Sequence, residues 1–168
     1  TLEGAPVFEV TKLELEALTQ GAVHQGVAME IAAYDYADAL ELLDRVSATG
    51  RKPLFVALDQ VTDPHNLGAV LRSAGAFGAD GVIIPQRRRA DVNATVWKVS
   101  AGAAARVPVA KETNLVRTLE AFKARGCFVV GLDGNASVSV DNLNLADQPL
   151  VLVTGAEGKG LSRLVRQT

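Results

Sequence analysis

A histidine and an arginine stand seven residues apart in the stretch DQVTDPHNLGAVLRSA, at spacing that aligns them on one face of a helix. His65 and Arg72 are separated by almost two full helical turns, so their side chains would point in nearly the same direction. Glycine and alanine fill the neighbouring positions of that face. The pattern fits a solvated face that happens to hold an arginine. It also fits a helix packed closely by another element, with Arg72 directed at a ligand.

The stretch TGAEGKG at residues 154–160 is a second place where chemistry could occur. Three glycines in six residues give a backbone that bends freely and approaches a ligand closely. Leu161 stands where a phosphate-binding loop needs lysine, and Arg163 breaks the dinucleotide-binding glycine pattern. A plain strand-to-helix turn would explain one glycine but hardly three around Glu157. The spacing therefore predicts a functional loop.

Three adjacent arginines, Arg87, Arg88 and Arg89, follow an apolar run and could bind RNA. Arginine neutralises phosphates and stacks on nucleobases. Charge runs are usually solvated surface, however, and that interpretation stays open. Asn93, just beyond the cluster, could contact RNA or simply begin a helix.

Other kinds of site find little support in the sequence. His24 and His65 lack the neighbours of a metal site, and no Ser-His-Asp or Cys-His arrangement is present. The single Cys127 lies in an apolar run and is predicted to be a core residue, which fits a reducing compartment. Trp97 is predicted to lie in the core or in an interface.

Charge and hydropathy narrow the function classes further. The formal net charge of −2 provides no global attraction for nucleic acid, so any RNA contact must come from local patches. No apolar segment approaches the roughly 20 residues needed to span a bilayer, and the N-terminus has no signal-peptide pattern. We therefore predict a soluble, cytoplasmic protein.

A parallel β-sheet with helices on both faces is predicted to position these residues. The chain has 168 residues, 48% of them hydrophobic, which suits one α/β domain with an appendage. Short apolar runs rich in Val and Ile, separated by helical patterns, are typical of βαβ units. The predicted strands are residues 54–58, 81–85, 107–110, 127–132 and 149–153, and the predicted helices are 64–77, 92–105 and 114–125, the last capped by Thr113.

The carboxyl ends of parallel strands are where ligands gather, and every stretch described above follows one of these ends. In helix 64–77, Asp63 is the predicted N-cap, Pro64 the first residue, and Gly78 the residue that ends the helix. Its sheet-facing side is predicted to hold the apolar residues Leu67, Val70, Leu71, Ala74 and Phe77.

The first 33 residues differ from this regular pattern. They predict a short helix at 12–18, a turn at 21–26 and a strand at 27–31, which together are too small to bury a core. We interpret residues 1–33 as the tail of another domain. A connecting helix is predicted at 34–47.

Three segments in fixed order resemble the motifs of the SpoU/TrmH family, and the resemblance covers about residues 54–166. They are TDPHNLGAVLRSA at residues 62–74, NAT at 93–95 with SAGAA at 100–104, and TGAEGKG at 154–160. The family comprises S-adenosylmethionine-dependent RNA ribose 2′-O-methyltransferases of the SPOUT superfamily. GAVHQGV at residues 21–27 also resembles the domain boundary of the RlmB-like subfamily, which methylates a guanosine of 23S rRNA.

The resemblance implies a SPOUT-type α/β-knot in which the C-terminal part of the sheet forms a trefoil knot. It implies a homodimer with the knots at the interface, which would account for the small residues around Arg72. It also implies that residues 1–33 are the end of a small L30e-like RNA-binding domain, residues 34–52 a linker, and residues 53–168 the methyltransferase domain.

The family motifs, carried over to matching positions, imply roles for individual residues. Arg72 would help to activate the ribose 2′-hydroxyl; because arginine stays protonated, we expect an orienting and electrostatic role. Asn66 and Glu157 would hold that arrangement and the substrate ribose. The S-adenosylmethionine cofactor would be lined by Leu132, Asp133, Gly134, Thr154, Gly155, Ala156 and Gly158.

Family members carry a third motif, a strand followed by a Ser-Leu-Asn segment, which the sequence does not reach before Thr168. From this we expect an incomplete knot and pocket, weak cofactor binding and little methylation by this chain.

The alternatives to a 23S rRNA guanosine as substrate are methylation of a tRNA, or of an rRNA adenosine as in thiostrepton-resistance enzymes. A non-catalytic RNA-binding or ribosome-assembly factor on the same fold is a further alternative, and a generic nucleotide-binding Rossmann domain a distant one.

Overall fold

The computed structural model describes residues 6–87 and 89–168, and the chain divides into two compact units, Thr1–Ala33 and Tyr34–Thr168. In the first unit the described residues form one helix, α1 (Lys12–Leu18), which begins with a reciprocal capping box between Thr11 and Glu14. Residues 27–31 form no strand, contrary to the prediction, and their side chains are exposed. Alternation alone does not make a strand, because a strand needs a partner to satisfy its backbone.

The second unit is built on one five-stranded parallel sheet, as predicted, in the order β3-β2-β1-β5-β4. The third predicted strand is displaced by two residues because the N–H of Val107 donates to Ala103 and ends the preceding turn. The strands are β1 (Leu54–Asp59), β2 (Gly81–Pro85), β3 (Val109–Glu112), β4 (Phe128–Leu132) and β5 (Leu150–Gly155).

Five helices of this unit connect and cover the strands: α2 (Ala39–Ser47), α3 (Pro64–Ala76), α4 (Ala94–Val99), α5 (Leu115–Ala124) and α6 (Arg163–Gln167). The helix predicted at 92–105 is broken, because Ala101 and Gly102 take positive φ and a short 3-10 helix, Ala103–Ala105, follows. The N-cap of α5 is Asn114 rather than Thr113, since the Asn114 side chain accepts from the N–H of Arg117.

The start of α2 also differs from the prediction, because Asp38 caps it by accepting from the N–H groups of Leu40 and Glu41. Residues 34–36 are not helical, and Ala37 forms a bridge to Ala110. The segment 34–52 belongs to the second unit.

Helices lie on both faces of the sheet, as predicted, and each face has its own core. One cluster joins α2, α5 and α6 to one side, where Phe55 and Phe122 pack edge to face with ring centroids 5.1 Å apart. Cys127 is buried in this cluster, as expected. The other cluster joins α3 and α4 to the opposite side. Within the described residues, no helix combines the length and apolar character that crossing a membrane requires.

Candidate active site

A cleft of about 370 Å³ opens at the carboxyl ends of β4 and β5. The two strands are parallel neighbours, and their register pairs Leu132 with Thr154, so the segments that follow them lie side by side. The lining includes all seven residues that the family resemblance assigns to the cofactor: Leu132, Asp133, Gly134, Thr154, Gly155, Ala156 and Gly158. The structure thus brings together two segments that are 20 residues apart in the sequence.

The loop at residues 155–162 folds tightly back on itself beside this cleft. The N–H of Gly160 donates to the carbonyl of Ala156 over 2.8 Å. A Cβ on Gly155 would lie 2.0 Å from the carbonyl carbon of Gly160, so only glycine fits there. Gly158 and Gly160 both have positive φ, of 74° and 65°. All three glycines are therefore required by the closure of the loop itself.

The rim of the cleft carries charged side chains, and the sequence analysis did not identify all of them. Arg166 on α6 forms an ion pair with Asp133 over 2.7 Å, and Asp133 also accepts from the N–H of Asn135 over 2.9 Å. The cleft is further lined by Asn135, Lys159, Gly160 and Arg166, which the sequence analysis did not assign to the cofactor. Lys159 and Gly160 lie inside the glycine-rich motif and could have been found, whereas Arg166 reaches the cleft only because α6 folds back.

The first and second sequence motifs meet through one side-chain contact. The amide of Asn66 donates to Oε2 of Glu157 over 3.4 Å, across 91 positions of sequence. Asn66 is the third residue of α3, which follows β1, and Glu157 is in the loop that follows β5. Because β1 and β5 are parallel neighbours, the segments after them converge. Glu157 lies between two lining residues of the cleft, Ala156 and Gly158, so this contact is beside it.

Arg72 is exposed and does not join this contact. Within the described residues no hydrogen bond or ion pair engages its guanidinium. It lies six residues beyond Asn66, which in a helix is about 9 Å along the axis and about 120° around it. The two side chains therefore leave α3 in different directions.

The small residues near Arg72 are partly explained by packing within the chain. A Cβ on Gly68 would lie 2.7 Å from Cβ of Val99 in α4, and one on Gly75 would lie 3.2 Å from Cβ of Ala103. These two glycines let α3 approach its neighbours closely, so they need no second subunit to explain them.

The predicted burial of Phe77 is wrong, since 82% of this residue is exposed. The reason is that α3 ends at Ala76 and Phe77 is its C-cap, beyond the sheet-facing arc of Leu67, Leu71 and Ala74. Phe77 is therefore an exposed apolar side chain just beyond the end of α3.

The arginine cluster is only partly a free surface. Arg87 is exposed, whereas Arg88 lies outside the described residues. The side chain of Arg89 is 12% exposed and forms an ion pair with Asp91 over 2.7 Å. Asn93 is the N-cap of α4 and accepts from the N–H of Val96 over 3.1 Å. Two of the four predicted RNA-binding residues thus make contacts within the chain.

Asp91 is the centre of a network that the sequence did not indicate. Its carboxylate accepts from the Tyr36 hydroxyl over 3.0 Å and lies 3.5 Å from Nζ of Lys111, which is itself 3.6 Å from the centre of the Tyr36 ring. Desolvation raises the pKa of Asp91, but the Tyr36 hydrogen bond and the charges of Arg89 and Lys111 outweigh it, so the pKa is lowered overall. Asp91 therefore neutralises part of this basic surface.

Comparison with known families gives two matches along the chain. The model of the SpoU rRNA Methylase family matches residues 53–168. The model described as RNA 2′-O ribose methyltransferase substrate binding matches residues 2–37.

Among curated relatives, an uncharacterized tRNA/rRNA methyltransferase of Mycobacterium ulcerans is 51% identical over 166 residues, which are 98% of this chain and 53% of that protein. One from Mycobacterium avium is 52% identical, covering 98% and 52% respectively. The chain thus spans about half the length of the curated relatives it matches.

Solved structures match the fold. The SpoU methyltransferase AviRb from Streptomyces viridochromogenes, in complex with the cofactor AdoMet, is 27% identical with a TM-score of 0.67, over 95% of this chain and 66% of that one. An AdoMet-bound rRNA methyltransferase from Sinorhizobium meliloti is 28% identical with a TM-score of 0.66, over 79% of this chain and 49% of that one.

Proposed function

The chain belongs to the SpoU rRNA Methylase family, and we propose that it transfers a methyl group from S-adenosylmethionine to a ribose 2′-hydroxyl of RNA. The proposed substrate is a guanosine of 23S rRNA, as in RlmB-like enzymes. The observation that carries the proposal is the Asn66–Glu157 contact, because it joins the two family motifs beside a cleft that could hold the cofactor.

The cleft suits S-adenosylmethionine in size and in chemistry. Its volume of about 370 Å³ is within the range of small-molecule pockets. Residues 132–134 and 154–158 would hold the cofactor mainly through backbone N–H and C=O groups. A Cβ on Gly134 or Gly158 would meet nothing within 4 Å, so neither position crowds the space. When bound, the cofactor supplies an electrophilic methyl group on a sulfonium.

The protein's own part in this reaction would be positioning and electrostatics. Asn66 and Glu157 would hold the substrate ribose, and each keeps the other in place. The Arg72 guanidinium, exposed on α3, would orient the RNA and favour the negative charge that develops on O2′. It stays protonated at neutral pH, so it would not act as an ordinary base.

The proposal extends to assembly and RNA binding. Arg72 on α3 and Phe77 just beyond its end are both exposed, and a second copy of the chain, joined through the knot region, would cover the apolar side chain. Residues 1–33 would be the end of an L30e-like RNA-binding domain and residues 53–168 the methyltransferase domain, which the two family matches support. An RNA substrate also fits the predicted cytoplasmic location.

A methyl-transfer assay tests the proposal. Labelled S-adenosylmethionine is supplied with undermethylated 23S rRNA, with tRNA, or with no RNA, and the modified nucleotide is identified by mass spectrometry. We expect label in a 2′-O-methylguanosine of the rRNA, at the low level of methylation that the sequence analysis predicts for this chain. Label in tRNA or in an rRNA adenosine would support the proposed methyl transfer but would show that the proposed substrate, a guanosine of 23S rRNA, is wrong. Cofactor binding without transfer to any RNA would favour the non-catalytic RNA-binding factor.

Variants of the Asn66–Glu157 pair make the test specific. Asn66→Ala and Glu157→Ala should each lower kcat about 100-fold, the loss typical when a group that positions a reacting oxygen is removed. The double variant should lose little more than either alone, because the residues act as a unit. Asn142→Ala, an exposed asparagine in the 3-10 helix after β4, is the matched control and should keep wild-type activity.

A further inference from the structure

Asp59 is a buried carboxylate to which the proposed reaction gives no role. It is the last residue of β1 and is 5% exposed. Lys, Glu and Asp are rarely buried this deeply unless a partner holds them. The carboxyl end of β1 is adjacent to the start of the glycine loop, because Asp59 pairs in register with Gly155 of β5.

The carboxylate reaches the far end of the same loop. Oδ2 of Asp59 accepts a hydrogen bond from the N–H of Ser162 over 2.5 Å. The side chain of Ser162, which is the N-cap of α6, makes no capping hydrogen bond itself. The backbone pairing of Asp59 therefore secures one end of loop 155–162, and its side chain secures the other.

From these contacts we infer that Asp59 is a positioning residue for the cofactor cleft. Ser162 connects the loop to α6, and α6 carries Arg166, whose ion pair with Asp133 is at the rim of the cleft. Releasing Ser162 would free Gly160 and Lys159 on one side and α6 on the other. The link to S-adenosylmethionine rests on the proposed function, whereas the control of the loop by Asp59 does not.

A buried acid that only stabilises the fold would have a different effect, and the chain offers a matched control for it. Asp80 has a side chain that is 8% exposed, and its Oδ2 accepts from the N–H of Leu54 over 3.0 Å. Leu54 is the first residue of β1, so Asp80, which also pairs with Arg51, binds a backbone N–H at the amino end of the strand whose carboxyl end carries Asp59. Asp80 is remote from the cleft.

Two variants break the Asp59–Ser162 hydrogen bond from opposite sides. Asp59→Ala removes the acceptor. Ser162→Pro removes the donor N–H together with the hydroxyl, and the φ of Ser162, −62°, suits proline. Ser162→Ala keeps the N–H and is the control for the loss of the hydroxyl. Asp59→Asn keeps an acceptor oxygen and should recover part of the wild-type behaviour.

Hydrogen–deuterium exchange without ligand gives the first readout. We expect Asp59→Ala and Ser162→Pro to lose amide protection at residues 156–161, while Ser162→Ala and Asp80→Ala keep it. Titration calorimetry with S-adenosylmethionine gives the second: Kd should rise about tenfold or more for the first two variants, the effect of one lost buried hydrogen bond, and stay within about twofold for the controls.

Each outcome decides between the hypotheses. Unchanged loop protection in Asp59→Ala or, if that variant does not fold, in Ser162→Pro would overturn the inference. An equal loss of cofactor affinity in Asp80→Ala would also overturn it, since the effect would then be general destabilisation. If the wild-type protein binds no S-adenosylmethionine, the proposed function fails, and the exchange data alone still decide whether Asp59 positions the loop.

Discussion

The cleft at the carboxyl ends of β4 and β5 and the arginine cluster at residues 87–89 were both predicted as binding surfaces, but the structure supports them to different degrees. In the cleft, every residue assigned to the cofactor lines one cavity. In the cluster, Arg89 is paired with Asp91, and the nearby Asn93 caps a helix. The cleft is made of backbone at strand ends, which topology alone brings together. The cluster depends on side chains, and Asp91, the partner of Arg89, is itself contacted by Tyr36 and Lys111 from distant segments.

The largest expected effect comes from Gly155→Ala, which tests how far the cleft depends on backbone. The new Cβ would lie 2.0 Å from backbone atoms of Gly160, which cannot move without opening the loop. We expect the free energy of unfolding to fall by about 3 kcal/mol or more, at the upper end for overpacking. Urea denaturation measures it. Gly134→Ala, where a Cβ meets nothing within 4 Å and φ is not positive, should change stability by less than about 0.5 kcal/mol.

A smaller effect is expected from Arg89→Ala, which tests whether the cluster is structural or RNA-binding. Removing this mostly buried partner of Asp91 should lower stability by about 1 kcal/mol. Arg87→Ala should leave stability unchanged and instead reduce the salt dependence of RNA binding by about one phosphate contact. Filter binding at several salt concentrations measures the effect on RNA binding, and thermal unfolding measures the effect on stability. If Arg87→Ala and Arg89→Ala lowered RNA affinity equally and neither lowered stability, the whole cluster would be an RNA-binding surface, as the sequence predicted.

The smallest effect concerns pH and the Asp91 network. The lowered pKa of Asp91 means that its charged form is favoured in the folded state. Its contribution to stability is therefore present above the unfolded pKa, about 3.9, and is lost as pH falls through the folded value. The stability difference between wild type and Asp91→Asn should shrink as the pH is lowered from 6 toward about 3. A constant difference over this range, in urea denaturation, would show that the charge is not what holds the network.

The parts of the fold that were predictable are those fixed by hydrophobic runs and strand order. The apolar run at Gly81–Pro85 was found to the residue, and β1 was extended only by Asp59. The helix predicted at 92–105 was not found intact, because the periodicity does not reveal the positive φ of Ala101 and Gly102. The strand predicted at 27–31 rested on partial alternation, and within the described residues this segment pairs with no strand.

In the candidate site, too, the contacts that follow from strand order were predictable and the others were not. Asn66 and Glu157 could be expected to meet, because each follows one of two neighbouring parallel strands. The pairing of Arg166 with Asp133 could not, since it depends on the angle at which α6 leaves the loop. The role of Asp59 was hidden for another reason: its partner is a backbone N–H, and every residue except proline has one.

The strand order has a consequence for how the molecule is made. β1 is the central strand, but its neighbour β5 comes late: Leu54 pairs with Leu150, and 150 − 54 gives a separation of 96 residues. At ribosomal rates of about 5–20 residues per second, one edge of β1 waits roughly 5–20 s for its partner to be synthesised. Until then only β1, β2 and β3 are available to pair, and we expect the cleft, which needs β4 and β5, to form last. Pulse-labelled exchange on stalled nascent chains should find β2 amides protected before any of β4.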